Sequence, residues 1–132
     1  MIDFDTRTSQ LDDLLGVGRN FDMVGRVLRV GGRQAKLWVV NGYAEDSLIE
    51  RMIGRLLAIG SLNGIADLPA FLSAYITVPD AAVETEVQKM LVGVFAGKTL
   101  LVIEGYDGGV LMDAKEYPTR SVVEPDTSKV LR

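Results

Sequence analysis

The stretch from Phe21 to Val40 favours one arrangement over all others. Phe21-Asp22-Met23-Val24-Gly25-Arg26-Val27-Leu28-Arg29-Val30 is rich in β-formers, Gly31-Gly32 follows, and Gln34-Ala35-Lys36-Leu37-Trp38-Val39-Val40 returns. A two-residue type I′ turn needs positive φ at both central residues, which glycine adopts at no steric cost. That turn sets the register: Val30 faces Arg33, Gly25 faces Trp38 and Val24 faces Val39. Gly25 leaves room for the indole. The period of two then puts Val24, Leu28, Leu37 and Val39 on one face, and Met23, Val27, Trp38 and Val40 on the other. Apolar residues on both faces mean that both need cover.

The cover has to come from helices elsewhere in the chain. Leu48, Ile49, Met52, Ile53, Leu56 and Leu57 form an apolar stripe at helical spacing, so a helix is predicted over 46–59, capped by Asp46 and stopped by Gly60. Asp67 followed by Pro69 opens a short helix through Phe71, Leu72 and Tyr75. Ala82 to Thr85 reads as a short strand. Val87, Met90, Leu91, Val94 and Phe95 then mark a helix over 86–96, with Gly97 as its stop. Thr99-Leu100-Leu101-Val102-Ile103 is a continuous apolar run of strand length, the pattern of a central strand. A glycine-rich loop from Gly105 to Gly109 leads to a partner strand over 110–114. In residues 1–20 the spacing of Leu11, Leu14 and Leu15 predicts a helix over 9–15, with Ser9 as cap and Gly16 and Gly18 as stop. Trp38, Phe71 and Phe95 read as core. The fold class is α/β: a mixed β-sheet built from two hairpins, with helices packed on it, in a single domain.

Composition narrows the chemistry. Hydrophobic residues make up 48% of 132 residues, enough for a real core. There is no cysteine and no histidine, so disulfides, thiolate nucleophiles, imidazole bases and the commonest zinc ligands are excluded. A net charge of −4 disfavours nucleic acid as a partner, because an acidic surface repels phosphate. The longest apolar run, Met90 to Gly97, falls far short of the roughly 20 residues that span a bilayer, and the acidic N-terminus is unlike a signal peptide.

Motifs that mimic active sites have simpler readings. Gly93-Val94-Phe95-Ala96-Gly97-Lys98-Thr99 resembles a phosphate-binding loop but is one residue short. It also follows a helix, where such a loop must precede one. Gly16-Val17-Gly18 lacks the third glycine of a dinucleotide fingerprint. Glu84 and Glu86, paired carboxylates, could do acid/base work or bind a metal, and a hydrolase could use Glu84, Glu86 or Asp107. Acids at a helix N-terminus are the simpler reading, and Asp107 reads as a turn residue. Arg26 lies among apolar residues; it would contact an anion or carboxylate, or pair at the sheet edge with Asp22 or a helix acid. The pair is favoured, because charges near a core are usually compensated. No catalytic residue, cofactor or metal site is expected.

Several segments together resemble the N-terminal region of the GerA/SpoVAF spore germination family. Phe21-Asp22 with Arg26 resembles its "FD…R" strand. Gly31 to Tyr43 is similar to its glycine turn, strand and "DG" stretch, with Asn41 in place of the usual acid. Ala96-Gly97-Lys98-Thr99-Leu100-Leu101-Val102-Ile103-Glu104-Gly105 resembles its "SGxxLLIDG" strand. Arg120-Ser121-Val122-Val123-Glu124-Pro125 matches its "RxVxEP" segment, and Lys129-Val130-Leu131-Arg132 resembles the start of its "VxRGPRxGFxE" motif.

The resemblance implies the first lobe of a two-lobed, solute-binding-like soluble domain. Residues 1–20 would be an N-terminal segment and 117–132 a linker to a second lobe. It further implies a receptor A-type subunit of the spore inner membrane, with this domain on the cytoplasmic, spore-core side. Expected partners are receptor B and C subunits or SpoVA-type proteins, the second lobe and transmembrane region of the same chain, and a small nutrient ligand. A sensory or assembly role in nutrient-triggered germination follows, without enzymatic activity. Arg26, Arg120 and Glu124 are the candidate interaction or ligand contacts. The competing reading is a free-standing small-ligand-binding or protein-interaction α/β domain. If residues 117–132 are a linker to a further lobe, amides from Glu124 to Arg132 in this 132-residue chain should exchange with little protection. Strong protection there would contradict the linker.

Overall fold

The computed structural model describes residues 3–20, 22–41, 46–76 and 80–113. Strands β1 (Met23–Val30) and β2 (Arg33–Val40) form the expected hairpin. Met23 pairs with Val40, Gly25 with Trp38 and Val30 with Arg33. Gly31 and Gly32 take φ of 58° and 85°, the left-handed values that the turn requires. A Cβ on Gly25 would come within 3.1 Å of Lys36 Cε and 3.4 Å of Trp38 Cδ1, so the missing side chain is what admits these two.

The chain continues through α2 (Asp46–Leu57), α3 (Leu68–Tyr75), β3 (Ala81–Glu84) and α4 (Val87–Phe95) to β4 (Thr99–Ile103) and β5 (Gly109–Met112), with α1 (Phe4–Leu15) preceding the first hairpin. The strand order is β1-β2-β4-β5-β3. β4 therefore lies at the centre, and all five of its residues are buried. The α/β class and both hairpins are as expected, but every pairing is antiparallel, whereas a mixed sheet was expected. The reason is topological. β3 and β4 run in the same direction and are joined through α4, as in a parallel crossover unit. β5 inserts between them and pairs with both.

Pairing register divides the sheet into two faces. Leu28, Val30, Ala35, Leu37, Leu101, Ile103, Val110 and Met112 point to one side and pack with Met52, Ile53 and Leu56 of α2 and Leu68 and Phe71 of α3. Met23, Trp38, Leu100, Val102 and Leu111 point to the other and pack with Leu11 and Leu15 of α1 and Met90 and Val94 of α4. The result is a helix–sheet–helix sandwich with two cores. Gly93 lets α4 sit close: a Cβ there would come within 2.8 Å of Leu111.

Local signals explain most helix ends. Asp67 accepts a hydrogen bond from the Ala70 amide at 3.0 Å, with Pro69 in the first turn of α3. Gly97 follows α4 at φ 102°, and the Lys98 amide returns to the Gly93 carbonyl at 2.9 Å. Some expectations are corrected. α1 starts at Phe4, not residue 9, because Asp3 is its cap and accepts from the Thr6 amide. Gly60 is not among the positive-φ glycines; α2 stops at Leu57 with tight turns at Ala58 and Ile59. Leu57 and Phe95 are about half exposed, outside the core. The cap expected of the Asp46 side chain lies outside the described side chains.

α1 is tied to the sheet by one carboxylate. Asp12 accepts from Trp38 Nε1 and from Lys36 Nζ, both at 2.8 Å. Trp38 is fully buried, so its indole N–H would otherwise lack an acceptor. Asp12→Ala should cost about 1.5–3 kcal/mol in urea unfolding, since it removes charge-assisted bonds and orphans a buried donor. In the opposite layer, Leu56→Ala should cost about 2–5 kcal/mol through cavity formation. A loss under about 1 kcal/mol would show that the α2 stripe relaxes onto the gap or does not carry the core.

Candidate cleft at the β4–β5 loop

Among the sequence candidates, Arg26 lies on the edge strand β1 with its side chain exposed. It forms no ion pair or hydrogen bond with another described residue, so the expected pair with Asp22 or a helix acid is not made. Edge position explains this: solvent compensates the charge without a partner. Arg120 and Glu124 lie outside the described residues, together with the segment from Tyr117 to Arg132.

The acids tested as catalytic candidates are engaged in local structure. Glu84 Oε2 accepts from the amides of Thr85 and Glu86, each at 3.0 Å, just before α4. Glu86 pairs with Lys89 at 3.5 Å on the surface. Gly93 and Gly97 of the phosphate-loop mimic serve helix packing and helix termination. Among the described residues, no group of three or more potential metal ligands converges.

The feature that the sequence reading missed is a cleft of about 230 Å³ where the start of α1 meets the β4–β5 loop, lined by residues that include Asp3, Phe4, Arg7, Tyr106 and Asp107. The loop is pinned by tight contacts. Tyr106 is buried, and its hydroxyl donates to the Ile65 carbonyl at 2.7 Å. The Arg33 guanidinium stacks on the Tyr106 ring, 4.6 Å from its centroid. Gly108, at φ 85°, lies where a Cβ would be 2.6 Å from the Glu84 carbonyl oxygen. A Cβ on Gly105, at φ 90°, would lie 3.0 Å from Arg33 Nη1.

Arg7 is the unusual member. It is 9% exposed, and its Nε and Nη1 are buried with no hydrogen-bond acceptor. The signal for it was present in sequence: Arg7, Leu11 and Leu15 repeat at intervals of four, the spacing of one helix face. Starting the helix at residue 9 left Arg7 outside the pattern. A second, wider depression of about 520 Å³ lies between α2 and α3, beside Arg55, Leu56, Ile59 and Tyr75; Arg55 is exposed there, unlike the buried Arg7.

The fold is similar to a crystal structure of the N-terminal domain of the A subunit of the Bacillus megaterium spore germinant receptor GerK3. The TM-score is 0.69 at 15% identity, over 86% of this chain and 47% of that one. In sequence, the chain is 27% identical over 124 residues to stage V sporulation protein AF of Bacillus subtilis and 29% identical over 124 residues to spore germination protein B1 of the same organism. These alignments cover 89% and 88% of this chain, and the chain spans 24% of each relative. No helix among the described residues is long and apolar enough to cross a membrane. The model of the family described as Bacillus/Clostridium GerA spore germination protein matches residues 9–132, and the chain belongs to that family.

Proposed function

We propose that this chain is the first lobe of the soluble part of a membrane-embedded germination receptor subunit, acting as a sensory or assembly domain in nutrient-triggered germination. The carrying observation is the fold match, which takes up most of this chain but under half of the germinant receptor A-subunit domain. A lobe of a two-lobed domain has that relation to its whole. The partners are a second lobe and transmembrane region of the same polypeptide, and receptor B and C subunits or SpoVA-type proteins at the spore inner membrane, with this lobe on the spore-core side. A small nutrient ligand would be met at the junction with the second lobe.

The proposed role is non-enzymatic. Absence of histidine and cysteine leaves carboxylates and lysine as acid/base groups. Within the described residues Asp12, Asp67 and Glu84 hold backbone or side-chain donors in place, which supports scaffolding in preference to turnover.

The test is made in spores whose parent gene carries Leu56→Asp, which places a charge in the core beneath α2. Spore yield should stay unchanged, while nutrient-triggered germination should fall at least about tenfold, the fraction expected when a domain loses a few kcal/mol of stability. Germination at the normal rate, with the altered protein present at its normal level, would overturn the reading.

A further inference from the structure

We propose that Arg7 and the cleft at the β4–β5 loop form a binding site for a small carboxylate. The inference is independent of the receptor reading, because it rests on this lobe alone. A guanidinium stays protonated at any accessible pH, so burying Arg7 leaves a charge that must be compensated or kept at a cost. Solvent does not compensate two of its nitrogens, since Nε and Nη1 are buried and unpartnered. The cleft is the open space that Arg7 lines. Nε and Nη1 are closed off from that space, so a carboxylate in the cleft would meet the guanidinium at its remaining nitrogen, Nη2, and through its delocalised charge, as a charge-assisted contact.

The start of α1 adds to this attraction. Asp3 and Phe4 line the same cleft. The cap consumes the Thr6 amide, and the Arg7 amide bonds the Asp3 carbonyl. The amides of Phe4 and Asp5 have no intrahelical acceptor by position, and the dipole of a helix start favours negative charge.

Charge and size limit the occupant. Asp3, Glu104 and Asp107 also line the cleft, but all three are exposed and therefore screened by water and salt. Arg7 is buried and acts through a lower dielectric. The buried guanidinium compensates one negative charge, and a second charge, as on a phosphate dianion, gains no matching attraction from the screened acids at the rim. A cleft of about 230 Å³ is below the roughly 300–1,000 Å³ typical of drug-sized ligands, so the occupant is a carboxylate of a few heavy atoms.

The test is thermal unfolding of the 132-residue chain at pH 7 and constant ionic strength, with sodium acetate, sodium phosphate or sodium chloride. Acetate should raise the midpoint saturably by about 3 °C or more, and phosphate and chloride should not. Arg7→Met keeps most of the apolar stem and removes the charge. It should abolish the acetate response, with an unliganded midpoint no lower than that of the wild type. If that variant fails to fold, the Arg7 Nε–H resonance of the wild-type protein is followed by NMR during acetate titration and should move with the same saturation curve. No acetate response in the wild type, a full response in Arg7→Met, or an Arg7 resonance that stays fixed would overturn the site. An equal response to phosphate would overturn the carboxylate assignment.

Discussion

The structure depends on the double burial of β4. A strand reading Thr-Leu-Leu-Val-Ile has no polar face to give to water, so it is stable only with a covered layer on each side. Leu101 and Ile103 supply one core, and Leu100 and Val102 the other. At about 25 cal/mol per Å² of apolar surface, exposing either side would forfeit several kcal/mol from this strand alone. That demand explains why helices divide into pairs, α2 with α3 and α1 with α4. It also explains why β4 pairs on both edges, with β2 and β5, since a buried strand cannot leave backbone donors unmatched.

Three specific devices then fix how the layers sit. Asp12 selects the position of α1 by satisfying Lys36 and Trp38 together, a directional requirement that apolar contact alone does not impose. Gly93 favours the close approach of α4, since a Cβ there would lie 2.8 Å from Leu111 Cδ1 and force that side chain to shift. On the opposite layer, Gly31 does the same for the segment after α2, where a Cβ would lie 2.6 Å from Leu62 Cγ. The hairpin turn thus sets the register of β1 and β2 and also admits the chain that covers their end.

Patterns that are strictly local were legible in the sequence. The Gly31-Gly32 turn gave the hairpin register residue by residue, and Asp67 with Pro69 gave the start of α3, because each effect acts over two to four residues. Tertiary effects were not legible. Leu57 and Phe95 fit their helical stripes, yet a helix on a flat sheet buries only a narrow arc, and both fall at its margin. Tyr106 sits in a segment with loop composition, but its ring enters the core and its hydroxyl finds the Ile65 carbonyl, 41 positions away. Within the candidate site, Arg7 was hidden because a cationic residue is assigned by default to the solvent face, and Arg26 drew attention because its strand neighbours are apolar. Burial reverses the two: the arginine in the polar-looking segment is enclosed, and the one in the apolar segment is at the open edge.

The same division of labour explains how the fold persists at 15% identity to the germinant receptor domain. What the architecture needs is an apolar run for the centre, alternation on its neighbours, a few glycines at close approaches and one clasp for α1. Many sequences meet those conditions, so fold similarity at this level constrains the scaffold far more than the chemistry carried on it. Here the loops and termini at one end of the sheet, the Gly31-Gly32 turn, the β4–β5 loop and the start of α1, are held by steric and polar contacts at fixed positions, and β5 runs from that end to Met112 at the other. β4 and β5, which run between the cleft end and the opposite end, are buried throughout. Such tightly packed strands transmit displacement without absorbing it. The sheet is thus the rigid element that joins the two ends of the domain.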